Sequence, residues 1–251
     1  VIAITRGVSA AIRDCELTHL DREPIDLERA RSQHRQYEAL LATLGCHVIS
    51  LPADEALPDC VFVEDTAIVL PELAIATNPG AAPRRPEVEA VAAIVGRYRP
   101  LARIAAPGTI DGGDVLVTGR NIFIGRSART NDYAIEQVRA TTAPHGYRVV
   151  AVEVHGCLHL KSAVTAAAPG LLLINRQWCD PAPFDGYELL DVAPSEPSAA
   201  NVLRIGDELV YASSYPRTRE RLESRGLRVH PVDADELAKA EGAVTCCSVL
   251  L

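Results

Sequence analysis

A thiol, an imidazole and several carboxylates stand in this sequence where apolar runs begin. Thr245-Cys246-Cys247-Ser248 leads into Val249-Leu250-Leu251, and Glu64-Asp65 follows Val61-Phe62-Val63. Asp111-Gly112-Gly113-Asp114 precedes Val115-Leu116-Val117, and His159-Leu160-Lys161-Ser162 precedes Ala163-Val164. A cysteine thiolate attacks carbon without a metal, provided a neighbouring group makes or stabilises it. Imidazole supplies acid or base near neutral pH, and a carboxylate can hold it in orientation. Cys246, His159 and these acids therefore have the makings of a covalent hydrolytic site. Singly, each has a plainer explanation. Free cysteine commonly packs as a small apolar side chain, a lone histidine hydrogen-bonds structurally, and residues 111–114 read equally well as a turn. Cys247 would face the opposite side of a strand from Cys246 and is read as structural.

The segments matter only if the chain brings them together. Residues 1–5 alternate as a strand, and Asp26 opens a helix whose apolar face, Leu27, Ala30, Tyr37, Leu41 and Leu44, runs until Gly45. A strand follows at 47–51. Then an order of strand, turn, strand, helix and strand recurs: 60–70, 73–77, a helix over 86–98, and 101–105. The same order fits 114–117, 122–124, a helix over 131–142, and 148–154. Strands at 162–167 and 171–174 begin another copy, with an irregular proline-rich segment in place of the helix. The next copy has strands at 201–205 and 208–212, a helix over 216–225 and a strand at 227–232. Hairpins thus start near 65, 114, 162, 201 and 248, and units spaced by roughly 40 to 50 residues point to radial repetition. The last unit lacks a strand and a helix, which the amino-terminal segment would supply. A closed ring of five such units would gather the residues before each hairpin at its centre. An ordinary α/β sheet of two subdomains is the alternative.

The 251 residues are 48% apolar and 23% charged, with a net charge of -8 and no basic run. This suits a soluble globular protein with a sizeable core and argues against nucleic acid or an anionic membrane as partner. No apolar stretch reaches the ~20 residues that span a bilayer. The amino terminus has no basic segment followed by a long apolar one, so the expected address is the cytoplasm. Seven scattered cysteines without CxxC spacing fit reduced thiols better than disulfides or zinc. His155-Gly156-Cys157-Leu158-His159 would place three ligands on one strand face, one short of a tetrahedral site, and no metal or cofactor is expected. Oligomeric state is open, a homodimer included.

Phe62-Val63-Glu64-Asp65, Asp111-Gly112-Gly113-Asp114-Val115-Leu116, Gly125-Arg126-Ser127-Ala128-Arg129-Thr130-Asn131, Leu158-His159-Leu160-Lys161-Ser162 and Thr245-Cys246-Cys247-Ser248-Val249-Leu250 occur in that order over nearly the whole chain. Together they resemble the dimethylarginine dimethylaminohydrolases, of the guanidino-group-modifying (pentein) superfamily. The resemblance implies an α/β fold, a five-bladed β/α propeller with pseudo-fivefold symmetry, as one catalytic domain over 1–251. It implies hydrolysis of methylated arginine to citrulline and a methylamine. Cys246 would be the nucleophile, His159 the general acid/base and Asp111 its paired carboxylate. Asp59, Glu64 and Asp65 would hold the guanidinium and neighbouring polar groups, Arg84 and Arg129 the α-carboxylate end, and Leu17 would belong to the lid. The chemistry agrees, because carboxylates match the planar N–H fork of a small cationic guanidino substrate. Its charge would also favour the thiolate beside it. An enzyme acting on free arginine or another guanidino compound, and a propeller that only binds a partner, are the competing readings.

Overall fold

The structure is a computed structural model describing residues 1–251. In chain order the elements are β1 (Ile2–Arg6), α1 (Leu27–Thr43), β2 (His47–Leu51), β3 (Ala67–Val69), β4 (Ala74–Ala76), α2 (Val88–Val95), β5 (Leu101–Arg103), β6 (Val115–Thr118), β7 (Asn121–Arg126), α3 (Asp132–Thr142) and β8 (Arg148–Glu153). They continue with α4 (Leu160–Ala163), β9 (Val164–Ala168), β10 (Leu171–Ile174), β11 (Glu188–Asp191), β12 (Val202–Ile205), β13 (Glu208–Ala212), α5 (Pro216–Glu223), β14 (Arg228–Val232), α6 (Asp235–Ala238) and β15 (Val249–Leu250).

The strands form five three-stranded sheets, ordered β15-β1-β2, β3-β4-β5, β6-β7-β8, β9-β10-β11 and β12-β13-β14. Each has one design: the first two strands pair antiparallel and the third joins the middle one in parallel. The parallel step requires a crossover, and a helix supplies it in four sheets. In the sheet of β9 to β11 the crossover is irregular, with a 3-10 turn at Ala182–Phe184. The two chain ends share a sheet, with Ala3 opposite Leu250 and Ile4 opposite Val249.

The helices form where apolar spacing and caps coincide. Asp26 caps α1 by accepting from Arg29 N at 3.0 Å, and Gly45 takes a φ of +86° after its last turn. Asn131 caps α3 in the same way, through Ala134 N at 3.1 Å. The inward faces are Ala30, Tyr37 and Leu41 on α1, Val88, Val91 and Val95 on α2, and Ala134, Ile135 and Val138 on α3. Burying each Val, Ile or Leu side chain contributes about 1.5–3 kcal/mol. No helix is long and apolar enough to cross a membrane. All seven cysteines are unpaired and buried.

Several expected strands are shorter than their apolar runs. Residues 60–66, expected as part of a strand, end in a 3-10 turn at Val63–Thr66, and β3 begins only at Ala67. Residues 155–159 form a loop, so the alternation that would align His155, Cys157 and His159 does not exist. Cys246 and Cys247 lie on a turn over 244–247, before a strand of two residues.

Candidate active site

Four sheets receive their first strand from a tight turn, and the chemistry-bearing residues are on these turns. Glu64 and Asp65 ride the 3-10 turn before β3, and Asp111 caps the 3-10 turn Gly112–Asp114 before β6. His159 caps α4 before β9, and Cys246 lies on the turn before β15. Backbone contacts bind the turns to each other. Glu64 N donates to Cys246 O at 3.1 Å, Gly113 N to Asp65 Oδ1 at 2.9 Å, and Leu160 N to Asp114 Oδ1 at 2.9 Å. The approach explains the paired glycines. A Cβ on Gly112 would lie 2.0 Å from Glu64 O, and one on Gly113 would lie 2.5 Å from His159 Nδ1.

His159 is 4% exposed, with Nε2 3.0 Å from Asp111 Oδ2 and Nδ1 3.9 Å from Asp65 Oδ1. Burial alone would lower its pKa, but Asp65, the hydrogen bond to Asp111 and the charge of Asp114 together raise it to about 9. The imidazole is therefore a cation at neutral pH. Asp111 is itself held, with Oδ1 accepting from Gly80 N at 2.9 Å. Asp114 anchors the turn behind it through Ser127 and Thr130, each at 2.6 Å. Donor atoms of Asp65, Asp111 and His159 lie within 4.8 Å of one another. That spacing would admit a small cation, but Asp65 and Asp111 already hold the imidazolium, and Arg84 takes the other Asp65 oxygen.

Cys246 is 9% exposed and lines, with His159, Asp65, Asp59, Arg84 and Arg129, a narrow recess. Burial first, then Glu64, Asp65 and Cys247, push its thiol well above the usual range, so the sulfur is protonated at rest. Asp59 is raised by burial and accepts from Glu16 N at 3.1 Å. Arg129 is buried, donates from Nη2 to Thr18 Oγ1 at 3.0 Å, and has Nη1 3.7 Å from Asp111 Oδ2, an ion pair without a hydrogen bond.

The expected residues do not all present themselves to the recess. Arg84 lines it, but its guanidinium is taken by Asp65 Oδ2 at 2.6 Å, Glu87 Oε2 at 2.9 Å and Phe62 O at 3.1 Å. A buried cation requires such partners. Glu64 is outside the recess and faces a second cavity, its carboxylate bound to Lys161 Nζ at 2.5 Å and Thr245 Oγ1 at 2.8 Å. Leu17 is half-buried and turned to the apolar core beside α1, whereas its neighbour Glu16 lines the recess.

No family model matches the chain. It is 41% identical to the N(G),N(G)-dimethylarginine dimethylaminohydrolase of Streptomyces coelicolor over 252 residues, 99% of this chain and 96% of that protein. It is 35% identical to the enzyme of that name from Pseudomonas aeruginosa over 226 residues, 89% of each. The chain belongs to the dimethylarginine dimethylaminohydrolase family. A solved structure of the Pseudomonas aeruginosa protein, a cysteine-to-serine mutant complexed with citrulline, superposes with a TM-score of 0.93 at 34% identity, covering 98% of this chain and 97% of that one.

For this dimethylarginine dimethylaminohydrolase family member, sequence reasoning passed over Asn201. Asn201 Oδ1 accepts from Thr245 N at 3.1 Å, and its Nδ2 donates to Thr245 Oγ1 at 2.9 Å and Lys161 O at 3.0 Å. It thereby ties the Cys246 turn to α4. Its signal was positional, since it stands just before β12 as the other site residues stand before their hairpins. Thr18, Glu16 and Glu241 carried no comparable signal.

Proposed function

We propose that this protein hydrolyses the C–N bond of Nω-methylated arginine, releasing citrulline and a methylamine, with Cys246 as nucleophile, His159 as acid and base, and Asp111 as the carboxylate that orients it. The carrying observation is that Cys246, the imidazole held by Asp111, and an arginine whose Nη1 makes no hydrogen bond line one buried recess. The substrate is a small guanidino cation carrying a carboxylate. Asp65 supplies the anionic field for the guanidinium, Asp59 stands on the Glu16 side, and Arg129 Nη1 takes the carboxylate. The five sheets are read as the blades of a β/α propeller, forming a single catalytic domain over 1–251. We place it in the cytoplasm, a reading that rests on the scattered thiols of the sequence.

At rest the pair is a thiol and an imidazolium. The arriving guanidinium sets a positive charge beside Cys246 and offsets the acids that hold its proton on, so the proton leaves to solvent and a thiolate forms. The sulfur attacks the central guanidino carbon. His159 gives its proton to the departing amine as that C–N bond breaks, leaving an S-alkylthiouronium on Cys246. Neutral imidazole then takes a proton from water, whose oxygen attacks the same carbon. Collapse breaks the C–S bond, the departing sulfur takes the remaining hydroxyl proton to return as the thiol, and citrulline is left with His159 protonated again. Citrulline release from dimethylated, monomethylated and free arginine, compared by kcat/KM, tests the assignment. Higher values are expected for the methylated compounds, and release from none of them would sink it.

A further inference from the structure

Glu241 is the one residue other than glycine with a positive φ, +58°. A long side chain adopts that left-handed backbone at a cost, and such strain persists where surrounding contacts over-determine it. The contacts here are of one kind. Glu241 Oε1 accepts from His19 N at 2.5 Å and from Leu20 N at 2.8 Å, and Oε2 accepts from Thr18 N at 2.9 Å. Three successive amides converging on one carboxylate form the kind of concavity in which backbone binds an anion, here filled by a side chain from the far end of the chain. The same loop meets the recess twice more. Thr18 Oγ1 accepts from Arg129 Nη2, and Glu16 N donates to Asp59 Oδ2. Glu241 also lines the recess, on the segment that leads from α6 to Cys246.

We infer that Glu241 is a positioning residue that latches the 16–20 loop over the recess before substrate arrives, so that Thr18 occupies Nη2 of Arg129 while Nη1, 3.7 Å from Asp111 Oδ2 and in no hydrogen bond, can donate to the substrate carboxylate. The inference rests on the proposed reading of the recess as a site for a guanidino amino acid. A loop ordered in advance lowers the ordering that binding must supply, so the latch acts on KM and not on the bond-making steps. It also assigns the strained backbone a purpose. With φ at +58° the carboxylate meets the loop amides while the chain continues to Cys246.

Three variants test it. Glu241→Gly removes the carboxylate and suits the backbone, Glu241→Gln keeps the length and one acceptor oxygen, and Glu241→Asp keeps the charge on a shorter arm. Hydrogen exchange on the substrate-free protein is expected to speed up by about 10-fold or more at Thr18, His19 and Leu20 in Glu241→Gly, with unchanged protection in β1 and β7. Glu241→Gln should fall between, and Glu241→Asp should lie nearest the parent. KM for methylated arginine is expected to rise about 5- to 30-fold in Glu241→Gly, while kcat changes by less than about threefold. Unchanged exchange at the three amides overturns the latch. So does a fall in kcat as large as the fall in kcat/KM, or a Glu241→Asp variant no better than Glu241→Gly. The exchange measurement needs no turnover, so faster exchange in a protein that processes no guanidino compound would leave the latch standing and remove the functional reading instead.

Discussion

Cys246 and Cys247 are adjacent on one turn, both are buried, and both thiols are raised, in each case first by burial and then by Glu64. Their surroundings separate them. Cys246 opens on the recess with His159 and Arg129. Cys247, in the same apolar cluster as Cys246, is 4% exposed, does not line the recess, and points its sulfur at Ala243 O, 3.6 Å away. A raised pKa alone therefore identifies no nucleophile, since burial raises any thiol. The difference lies in the recess, which Cys246 lines and Cys247 does not.

The widest gap between the two should appear on losing the thiols. Cys246→Ser is expected to lower kcat on the order of 10⁴-fold or more, with binding of methylarginine largely kept, as read by turnover and calorimetry. Substantial activity in that variant would erase the contrast. His159→Gly should slow both formation and hydrolysis of the covalent intermediate, by about 10²–10⁴-fold in pre-steady-state rates. Asp111→Asn leaves a neutral partner at 3.0 Å and is expected to lower kcat by about 10²-fold. The pH profile sharpens the comparison from the histidine side. With His159 raised to about 9, kcat/KM should fall as pH climbs through that value, because the proton for the departing amine is lost. Asp65→Asn removes an anion that holds this proton, so the falling limb should move to lower pH. A limb that stays in place would show that another group sets it. The same shift has a stability sign. Because the folded pKa lies above the ordinary 6.5, the contribution is complete below 6.5 and fades as pH rises through about 9, visible in denaturant midpoints. The smallest effect belongs to Cys247→Ser, expected to lower stability by about 1 kcal/mol and change kcat/KM by less than about threefold.

The repeat was legible because each unit carries its own signals. Asp26 and Gly45 bracket α1, and Gly119, Gly170 and Gly206 turn their hairpins with positive φ. β2 coincides with its apolar run, as do β10 and β13. Less visible were the tight turns before the hairpins, where Val63 and Leu160 continue the apolar pattern of a strand although the backbone coils. β11 was also missed, because Glu188–Asp191 earns its place only by pairing with β10. In the site, the residue types pointed to a thiol, an imidazole and acids, whereas the partners of Arg84, Glu64 and Leu17 lay beyond local pattern. Arg84 reads as an exposed loop residue between two prolines, yet it is 4% exposed against Asp65 and Glu87.

By itself the sequence determined the order of the longer helices and of every strand but β11, the positions of the hairpins, and the kind of chemistry available, since these depend on neighbours a few residues apart. Tertiary structure alone decided which acid meets which nitrogen of His159, that Arg84 is fully hydrogen-bonded while Arg129 Nη1 only pairs at 3.7 Å with Asp111, and that a glutamate before Cys246 grips the loop at residues 18–20. Those outcomes depend on distances between turns far apart along the chain, and a charge buried there is set by whichever partner arrives, not by its own neighbours in sequence.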